Sequence, residues 1–281
     1  MGSDTLTLHQ HQKYKKWSLT INRKLQLDEV LSVLSENEEV CADKDRFLQI
    51  QSSESARVFL TSLNYDGKPA SIYIKQFLPR SLLDIIKHLL RDSRGKRAFK
   101  ASVILRNSGF YAPEPLCLLE KKYGPVITDS ILMTSDVPDA VQLKLKLKEY
   151  EQEKTASGLR KKRALIREFG KLIGEMHHQG IVHGDTRLGN VLVQEADNQF
   201  LFWFIDNENT KRFPKLSPKR IVKNLDQINI RAKVSNTDRL RFMRSYAWER
   251  GLTRSGLKYL AEKVEARTAM RLKKRWSQSG G

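Results

Sequence analysis

The chain has 281 residues, of which 40% are hydrophobic, and 51 Lys and Arg against 32 Asp and Glu give a net charge of +19. That is enough apolar material for one large core or two smaller ones, and the charge draws the protein to polyanions: nucleotides, nucleic acid, anionic lipid or phosphorylated sugars. No apolar run reaches transmembrane length, the polar stretch up to Trp17 does not read as a signal peptide, and Leu6 spoils a myristoylation motif at Gly2. Cys41 and Cys117 lack metal-ligand spacing and read as small buried hydrophobes in a reducing compartment. The expectation is a cytoplasmic protein, held at most on a membrane surface.

Residues 1–16 are polar, with His9 and His11 among glutamine and lysine, and read as a loose arm. Residues 46–77 read as three strands, at 47–50, from Val58 onward and at 71–77, with a strong turn signal at Asn64-Tyr-Asp-Gly-Lys-Pro69. Lys75 falls near the end of the third. Residues 82–90 read as an amphipathic helix laid on the sheet, or alternatively on a membrane or partner, because Arg91, Arg94, Lys96 and Arg97 follow. The next helix runs to about Asn107 and stops at Ser108-Gly109. Two prolines keep 111–115 extended, and 116–120 and 131–134 read as two further strands. Residues 135–138 read as a hinge between an N-terminal unit of 17–136 and a C-terminal unit of 137–281. The charged stretch 141–163 reads as a solvated helix and a loop. Leu165, Phe169, Leu172, Ile173 and Met176 then mark one helical face, ended by Gly180. A hairpin of 191–194 and 200–205 follows, and three helices are expected at 218–229, 237–249 and from 255 to about 274.

Between that helix and that hairpin lies His183-Gly-Asp-Thr-Arg-Leu-Gly-Asn190, and the hairpin ends in Ile205-Asp206. The hairpin puts Asn190 and Asp206 at neighbouring strand ends. Helix, D-x-R-x-x-N loop, strand, turn, strand and Asp resemble, in that order, the catalytic core of protein kinases. Phosphoryl transfer demands mainly positioning and charge neutralisation. In such a core Asp185 orients the acceptor hydroxyl and takes its proton, and Arg187 neutralises charge on the transferred phosphoryl. Asn190 and Asp206 supply hard oxygen ligands to Mg2+, and Lys75 holds the α- and β-phosphates of ATP. The loop 51–56 contains no glycine, so Ser52, Ser53 and Ser55 stand in as phosphate donors. His183 reads as a structural loop residue. Glu208 reads either as a helper in metal or acceptor binding or as a turn residue.

Five segments carry a narrower resemblance: Ser71-Ile-Tyr-Ile-Lys75-Gln-Phe, Ser93-Arg-Gly-Lys-Arg-Ala-Phe99, the Asp185 loop, Phe202-Trp-Phe-Ile-Asp-Asn-Glu208 and Thr237-Asp-Arg-Leu-Arg-Phe242. They span about 46–245 and resemble the lipopolysaccharide core kinase family, which phosphorylates Kdo or heptose and belongs to the protein-kinase-like superfamily. The resemblance implies an α+β fold of two lobes, a small antiparallel sheet lobe and a larger, mainly helical one. It also implies ATP, Mg2+ and a sugar acceptor on a lipid at the inner face of a Gram-negative membrane.

The chain departs from the protein-kinase pattern beyond its glycine-free loop. The helix that should supply a Glu partner for Lys75 reads Lys96-Arg97-Ala98-Phe99, which leaves Glu114 and Glu120 as alternatives. Gly184 stands where many protein kinases have an Arg that pairs with a phosphorylated activation loop. Asp206 is followed by Asn207-Glu208, and the segment to Ser217 is short. These last two features argue for a constitutively open kinase with a small or sugar acceptor. Lys211, Arg212, Lys215, Lys219, Arg220 and Lys223 suit a phosphorylated acceptor. Lys263, Arg267, Arg271, Lys273, Lys274 and Arg275, with Trp276, suit anionic headgroups or form a merely soluble basic face. The competing readings are a kinase for a protein or another small molecule, and a pseudokinase or basic binding protein. The presence of Lys75, Asp185, Asn190 and Asp206 argues against the pseudokinase, and sparse aromatic interleaving argues against specific nucleic-acid binding. The oligomeric state leaves no trace in the sequence.

Overall fold

The computed structural model describes residues 9–35, 39–52, 54–78, 91–196, 199–229 and 234–279. The expected helix at 82–90, Ser53 and the side chains of Arg275 and Trp276 lie outside the described residues. The chain divides into two compact units, Met1–Pro138 and Asp139–Gly281.

The first unit is built on a seven-stranded antiparallel sheet. Its strands are β1 (His9–Tyr14), β2 (Trp17–Asn22), β3 (Leu48–Ile50), β4 (Ala56–Tyr65), β5 (Lys68–Phe77), β6 (Pro115–Tyr123) and β7 (Val126–Ser135), in the order β1-β2-β6-β7-β5-β4-β3. Alternation assigns the faces. Ile72, Ile74, Cys117, Leu119, Ile131 and Met133 point into one core, which is covered by the segment 25–47 with its short helix α1 (Leu27–Leu31). Phe77, Leu118 and Leu132 point to the other, covered by Ala98, Phe99 and Val103 of helix α2 (Arg94–Asn107). Ser93 caps α2 by accepting from the Lys96 amide at 3.0 Å. Gly109, at φ +83°, ends it in the left-handed conformation that glycine tolerates best. Cys41 and Cys117 are buried and free, as expected, and burial pushes the Cys41 thiol up to about 12.

Two expectations for this unit need correction. Residues 9–14 are no loose arm: β1 pairs with β2 in full register, from His9↔Asn22 to Tyr14↔Trp17. As an edge strand with its outer face in water it can be entirely polar, so hydropathy does not betray it. The segment 17–45, for which no element is expected, supplies β2 and the covering layer.

In the second unit β8 (Val141–Gln142), β10 (Val191–Ala196) and β11 (Gln199–Phe204) form one sheet, and β9 (Ile181–Val182) pairs with β12 (Lys211–Arg212). Its helices are α3 (Leu143–Gln152), α4 (Ala156–His178), α5 (Pro218–Asn229), α6 (Asn236–Glu249) and α7 (Arg254–Ser279). The charged stretch 141–163 is more ordered than expected. Leu143, Leu147 and Tyr150 bury one face of α3, and only three residues separate it from α4. Helices α4 and α6 meet closely because α4 carries glycines. A Cβ on Gly170 would lie 2.6 Å from the Phe242 carbonyl oxygen, and one on Gly174 would lie 2.7 Å from Glu249 Cβ. The Thr237–Phe242 motif is structural here. Asp238 pairs with the buried Lys162 at 3.3 Å and with Arg241 at 2.6 Å, and Phe242 stacks beside Phe169 at 5.7 Å. Burial raises the Asp238 pKa, but the bonds from Ser235 and Lys162 outweigh it and leave the carboxyl below its ordinary value. Helix α7 is anchored on Asp226 of α5, which is fully buried. Arg271 donates to it at 2.5 Å, Thr268 at 3.1 Å, and Arg267 lies 3.3 Å away. Arg267 and Arg271 are therefore tethered to Asp226 while remaining partly exposed, so their charge on the basic face expected on this helix is partly neutralised. No described helix is long and apolar enough to cross a membrane.

Candidate active site

The Asp185 loop begins where α4 stops. Gly180, at φ +77°, turns the chain so tightly that an added Cβ would sit 2.0 Å from the Phe213 carbonyl oxygen. Strand β9 leads into His183, which is fully buried. Its Nε2 lies 3.1 Å from the Ile205 carbonyl oxygen and 2.9 Å from Asn207 Oδ1. Both are acceptors, because Asn207 commits its amide nitrogen to the Phe204 carbonyl at 3.0 Å. Nε2 therefore carries the proton. Burial lowers the pKa of His183 below that of ordinary imidazole, against the pull of Asn207 and of the Asp185 and Asp206 charges. His183 is thus a neutral strut between the loop and the end of β11, as the sequence suggests.

Gly184 has φ +79°, and a Cβ there would meet the Asn209 carbonyl oxygen at 2.5 Å. No room exists for the Arg that many protein kinases carry at this place. Asp185 follows, half-buried, with Arg187 gripping its carboxylate in a fork: Nε to Oδ1 at 2.7 Å and Nη2 to Oδ2 at 2.5 Å. The chain then makes a 3-10 turn, Leu188–Asn190, in which the Asn190 amide bonds back to the Arg187 carbonyl at 2.8 Å. Asn190 Nδ2 donates to the Asp185 carbonyl at 3.0 Å. That bond closes the loop and leaves the Asn190 side-chain oxygen as the remaining polar atom of its carboxamide.

Hairpin pairing sets the remaining carboxylate. Val191 faces Phe204 across β10 and β11, and the Ile205 amide donates to the Asn190 carbonyl at 3.0 Å. Asp206 comes next, in the left-handed region at φ +61°, ahead of a second 3-10 turn, Asn207–Asn209. An Asp tolerates this conformation better than most residues. Glu208 is buried in that turn. Among the described residues no group of three or more His, Cys, Asp and Glu gathers as a metal cage. Asn190 and Asp206 instead offer one amide oxygen and one carboxylate at adjacent strand ends. Such a sparse, hard-oxygen set fits Mg2+ that takes its other ligands from phosphate and water.

The first unit holds the other expected residues. Lys75 is half-buried on β5, opposite Val58 of β4, with its ammonium 5.0 Å from the Phe77 ring centroid. Both acids considered as its partner carry other bonds. Glu120 is buried and accepts from the Ser93 hydroxyl at 2.5 Å, and Glu114 accepts from Asn22 and Tyr65, each at 3.1 Å. The glycine-free loop is stitched by side chains. Ser52 Oγ donates to the Ala56 carbonyl at 2.6 Å, and Arg94 Nη1 donates to the Ser55 carbonyl at 2.8 Å. The Ser52 hydroxyl proton is thus used within the loop, which leaves the backbone N–H as the donor this residue could offer a phosphate.

The sequence does not flag the residues that brace Asp185. Gln227 of α5 donates to the Gly184 carbonyl at 2.6 Å and accepts from the Thr186 amide at 3.3 Å. Its carboxamide therefore brackets Asp185 from both sides. Asn224, one turn earlier, bonds the Thr186 hydroxyl and accepts from His177 Nε2 at 2.9 Å, and His177 Nδ1 accepts from the Tyr246 hydroxyl at 2.9 Å. Burial drives the His177 pKa down to about 4, so it stays neutral. Asn224 is buried and Gln227 half-buried, and neither stands out from the other polar positions of this amphipathic helix in the sequence alone.

Comparisons with known proteins give a family and a fold. The model of the lipopolysaccharide kinase (Kdo/WaaP) family matches residues 38–246. Among solved structures, WaaP in complex with acyl carrier protein superposes with a TM-score of 0.56 at 19% identity, covering 78% of this chain and 87% of that one. At that identity the likeness is one of fold, the protein-kinase-like fold. The Mycobacterium tuberculosis PknI kinase domain superposes with a TM-score of 0.41 at 13% identity over 79% of this chain and 94% of that one. No curated protein matches the chain.

Proposed function

The chain belongs to the lipopolysaccharide kinase (Kdo/WaaP) family, phosphotransferases that act on sugar hydroxyls, and we propose that it transfers the γ-phosphoryl group of ATP to a hydroxyl of the lipopolysaccharide inner core. Asp185 accepts the proton of the attacking hydroxyl as the bond to phosphorus forms. Arg187 holds the Asp185 carboxylate in place and has five N–H groups, of which Asp185 takes two. The rest of the fork serves the transferred phosphoryl. Asn190 and Asp206 would hold Mg2+, which supplies charge neutralisation on the phosphates. Lys75 is assigned to the nucleotide phosphates from its place on the third strand of the sequence motif.

The observation that carries this reading is the closed loop. Asn190 Nδ2 on the Asp185 carbonyl fixes the separation between the proposed base and the proposed metal ligand, and the hairpin sets Asp206 beside them. The exposed cations Lys211, Arg212, Lys215, Lys219, Arg220 and Lys223 continue from this hairpin and suit a phosphorylated, carboxylate-bearing acceptor. Such an acceptor places the reaction at the cytoplasmic face of the inner membrane.

Incubation with Mg-ATP and a deacylated lipopolysaccharide core, read by mass spectrometry, tests the assignment. A phosphoryl increment that vanishes in Asp185→Ala supports it. Turnover retained in that variant removes Asp185 as the base, and ATP binding without any increment points to another acceptor.

A second ligand deserves a trial in the same unit. Between α4, α6 and α7 lies a cavity of about 790 Å³, lined by Leu165, Phe169, Phe242, Leu257 and Val264, with Arg244, Arg254 and Lys258 also in its wall. A solved WaaP structure is a complex with acyl carrier protein, and the apolar lining of this cavity is what makes an acyl chain on such a carrier the ligand to try there. A thermal shift with acylated but not unacylated carrier supports that choice, and equal shifts count against it.

A further inference from the structure

We infer that the paired tips of the β1–β2 and β6–β7 hairpins form a docking edge for the anionic headgroups of a lipid bilayer. This rests on the proposed function only in the choice of a lipid surface as partner.

The register brings the two tips together. Tyr14 faces Trp17 across a turn of Lys15 and Lys16, and Tyr123 faces Val126 across a turn of Gly124 and Pro125. Strand β2 lies beside β6, with Trp17 opposite Lys121, and the Lys122 amide donates to the Lys16 carbonyl at 2.8 Å. Both turns therefore leave the sheet at the same end. They gather Lys13, Lys15, Lys16, Lys121 and Lys122 with Tyr14 and Tyr123, and neither 13–17 nor 121–126 contains an acid. Asp129, which faces Lys121 in the register, is half-buried and accepts from Gln76 at 2.8 Å.

The rings lie among the ammonium groups. Lys16 Nζ is 4.3 Å from the Tyr123 ring centroid, and Lys121 Nζ is 5.6 Å from the Trp17 ring and 6.0 Å from the Tyr123 ring. Tyr123 is 48% exposed. An amphipathic ring flanked by long lysine stems matches the boundary layer of a bilayer, where stems and rings lie along the acyl edge and the charges reach the phosphates. The patch holds five Lys and no Arg. Lys is a point charge without the bidentate fork used to read nucleic-acid phosphates or protein carboxylates. A diffuse anionic surface asks for no more than point charges.

The test is co-sedimentation of the full chain with vesicles of phosphatidylglycerol and phosphatidylcholine, against phosphatidylcholine alone, at moderate salt. The variants are Lys15→Gln, Lys16→Gln and Lys122→Gln combined, and Lys273→Gln with Lys274→Gln as a control on α7. Wild type should bind the anionic vesicles only. Each lysine lost should weaken partitioning about fivefold, so the triple variant falls about a hundredfold while the α7 pair changes little. Melting temperature and turnover on the soluble deacylated acceptor should be unchanged in the triple variant. A triple variant that binds like wild type overturns the inference. So does a wild type that prefers a competing oligonucleotide or acidic protein to the vesicles. Failure of the kinase assignment would appear as absent turnover with vesicle binding intact, so the two failures are told apart.

Discussion

Replacement of Gln227 tests whether the loop geometry matters for chemistry. Gln227→Met keeps side-chain volume and removes both bonds that bracket Asp185, at 2.6 Å to the Gly184 carbonyl and 3.3 Å from the Thr186 amide. Thr186 is fully buried, so its amide has little access to water once Gln227 is gone. A buried group stripped of its partner costs about 1–3 kcal/mol. The loop relieves that cost by shifting, and a displacement of about 1 Å at a reacting group costs about a hundredfold in rate. The expectation is a kcat reduced about 30- to 100-fold, with KM for ATP changed less than about threefold, because the nucleotide contacts are elsewhere. Gln227→Glu adds a second readout. Its carboxylate still accepts from Thr186 but repels the Gly184 carbonyl, and its protonated form can donate to that carbonyl. Its activity relative to wild type should therefore rise as pH falls from about 7 toward 5.5. In an Asp185→Asn background Gln227→Met should have almost no further effect, since the two act as a unit. A Gln227→Met enzyme with kcat within about twofold of wild type would refute the bracketing argument.

Arg187→Ala should lower kcat about a hundredfold or more, by loss of charge at the transferred phosphoryl and of the fork on Asp185. Arg187→Lys should recover only part, because an ammonium cannot make the two-toothed contact; single-turnover rates decide, and full recovery would reduce Arg187 to a counter-charge. His177 makes stability depend on pH. Its folded pKa of about 4 lies below the ordinary 6.5, so between those values the unfolded chain binds a proton that the folded one refuses. Stability present above pH 6.5 is lost as pH falls, on the order of 3 kcal/mol by pH 4. His177→Gln should flatten the fall in melting temperature between about pH 7 and 5, and an unchanged slope would remove His177 as its source. Asp226→Asn should destabilise the fold by about 2–3 kcal/mol in denaturant melts, below the figure for a fully buried pair because Arg267 and Arg271 are partly exposed. A change under about 0.5 kcal/mol would mean that α7 is held by apolar packing alone.

What the sequence disclosed follows from how local each signal is. Strand β5 alternates Ile72 and Ile74 with Ser71, Tyr73 and Lys75, β6 and β7 carry short apolar runs, and α4 carries a full helical stripe, so each announces itself without reference to the rest of the chain. The loop that carries Asp185, Arg187 and Asn190 was legible for the same reason, since these three lie within six residues between a helix and a hairpin. Strand β1 was not legible, since an edge strand with a wet face needs no hydrophobic code. Helix α3 was masked by lysines at alternate positions around Leu143, Leu145 and Leu147, a pattern that obscures which face is buried. Gln227 and Asp226 were beyond reach in another way. Their partners lie 43 and 45 residues away, at Gly184 and Arg271, and only the packing of α5 against the loop and α7 gives those polar side chains a reason to be where they are.

The departures from the protein-kinase pattern share a physical form. Where a protein kinase has an Arg that awaits a phosphate, this chain has Gly184, packed against Asn209 with no space for a side chain. Where a flexible glycine loop is expected, residues 51–56 are tied by Ser52 and by Arg94. Where a mobile Glu would come and go at Lys75, Ala98 is buried in the sheet-covering helix, and Glu120 is locked to the Ser93 hydroxyl that caps that helix. The first of these places is closed by backbone packing, and the other two carry hydrogen bonds made on folding. A switch needs two arrangements of similar free energy, and a buried, fully bonded polar group strongly favours one. These three places are therefore poor sites for phosphorylation control.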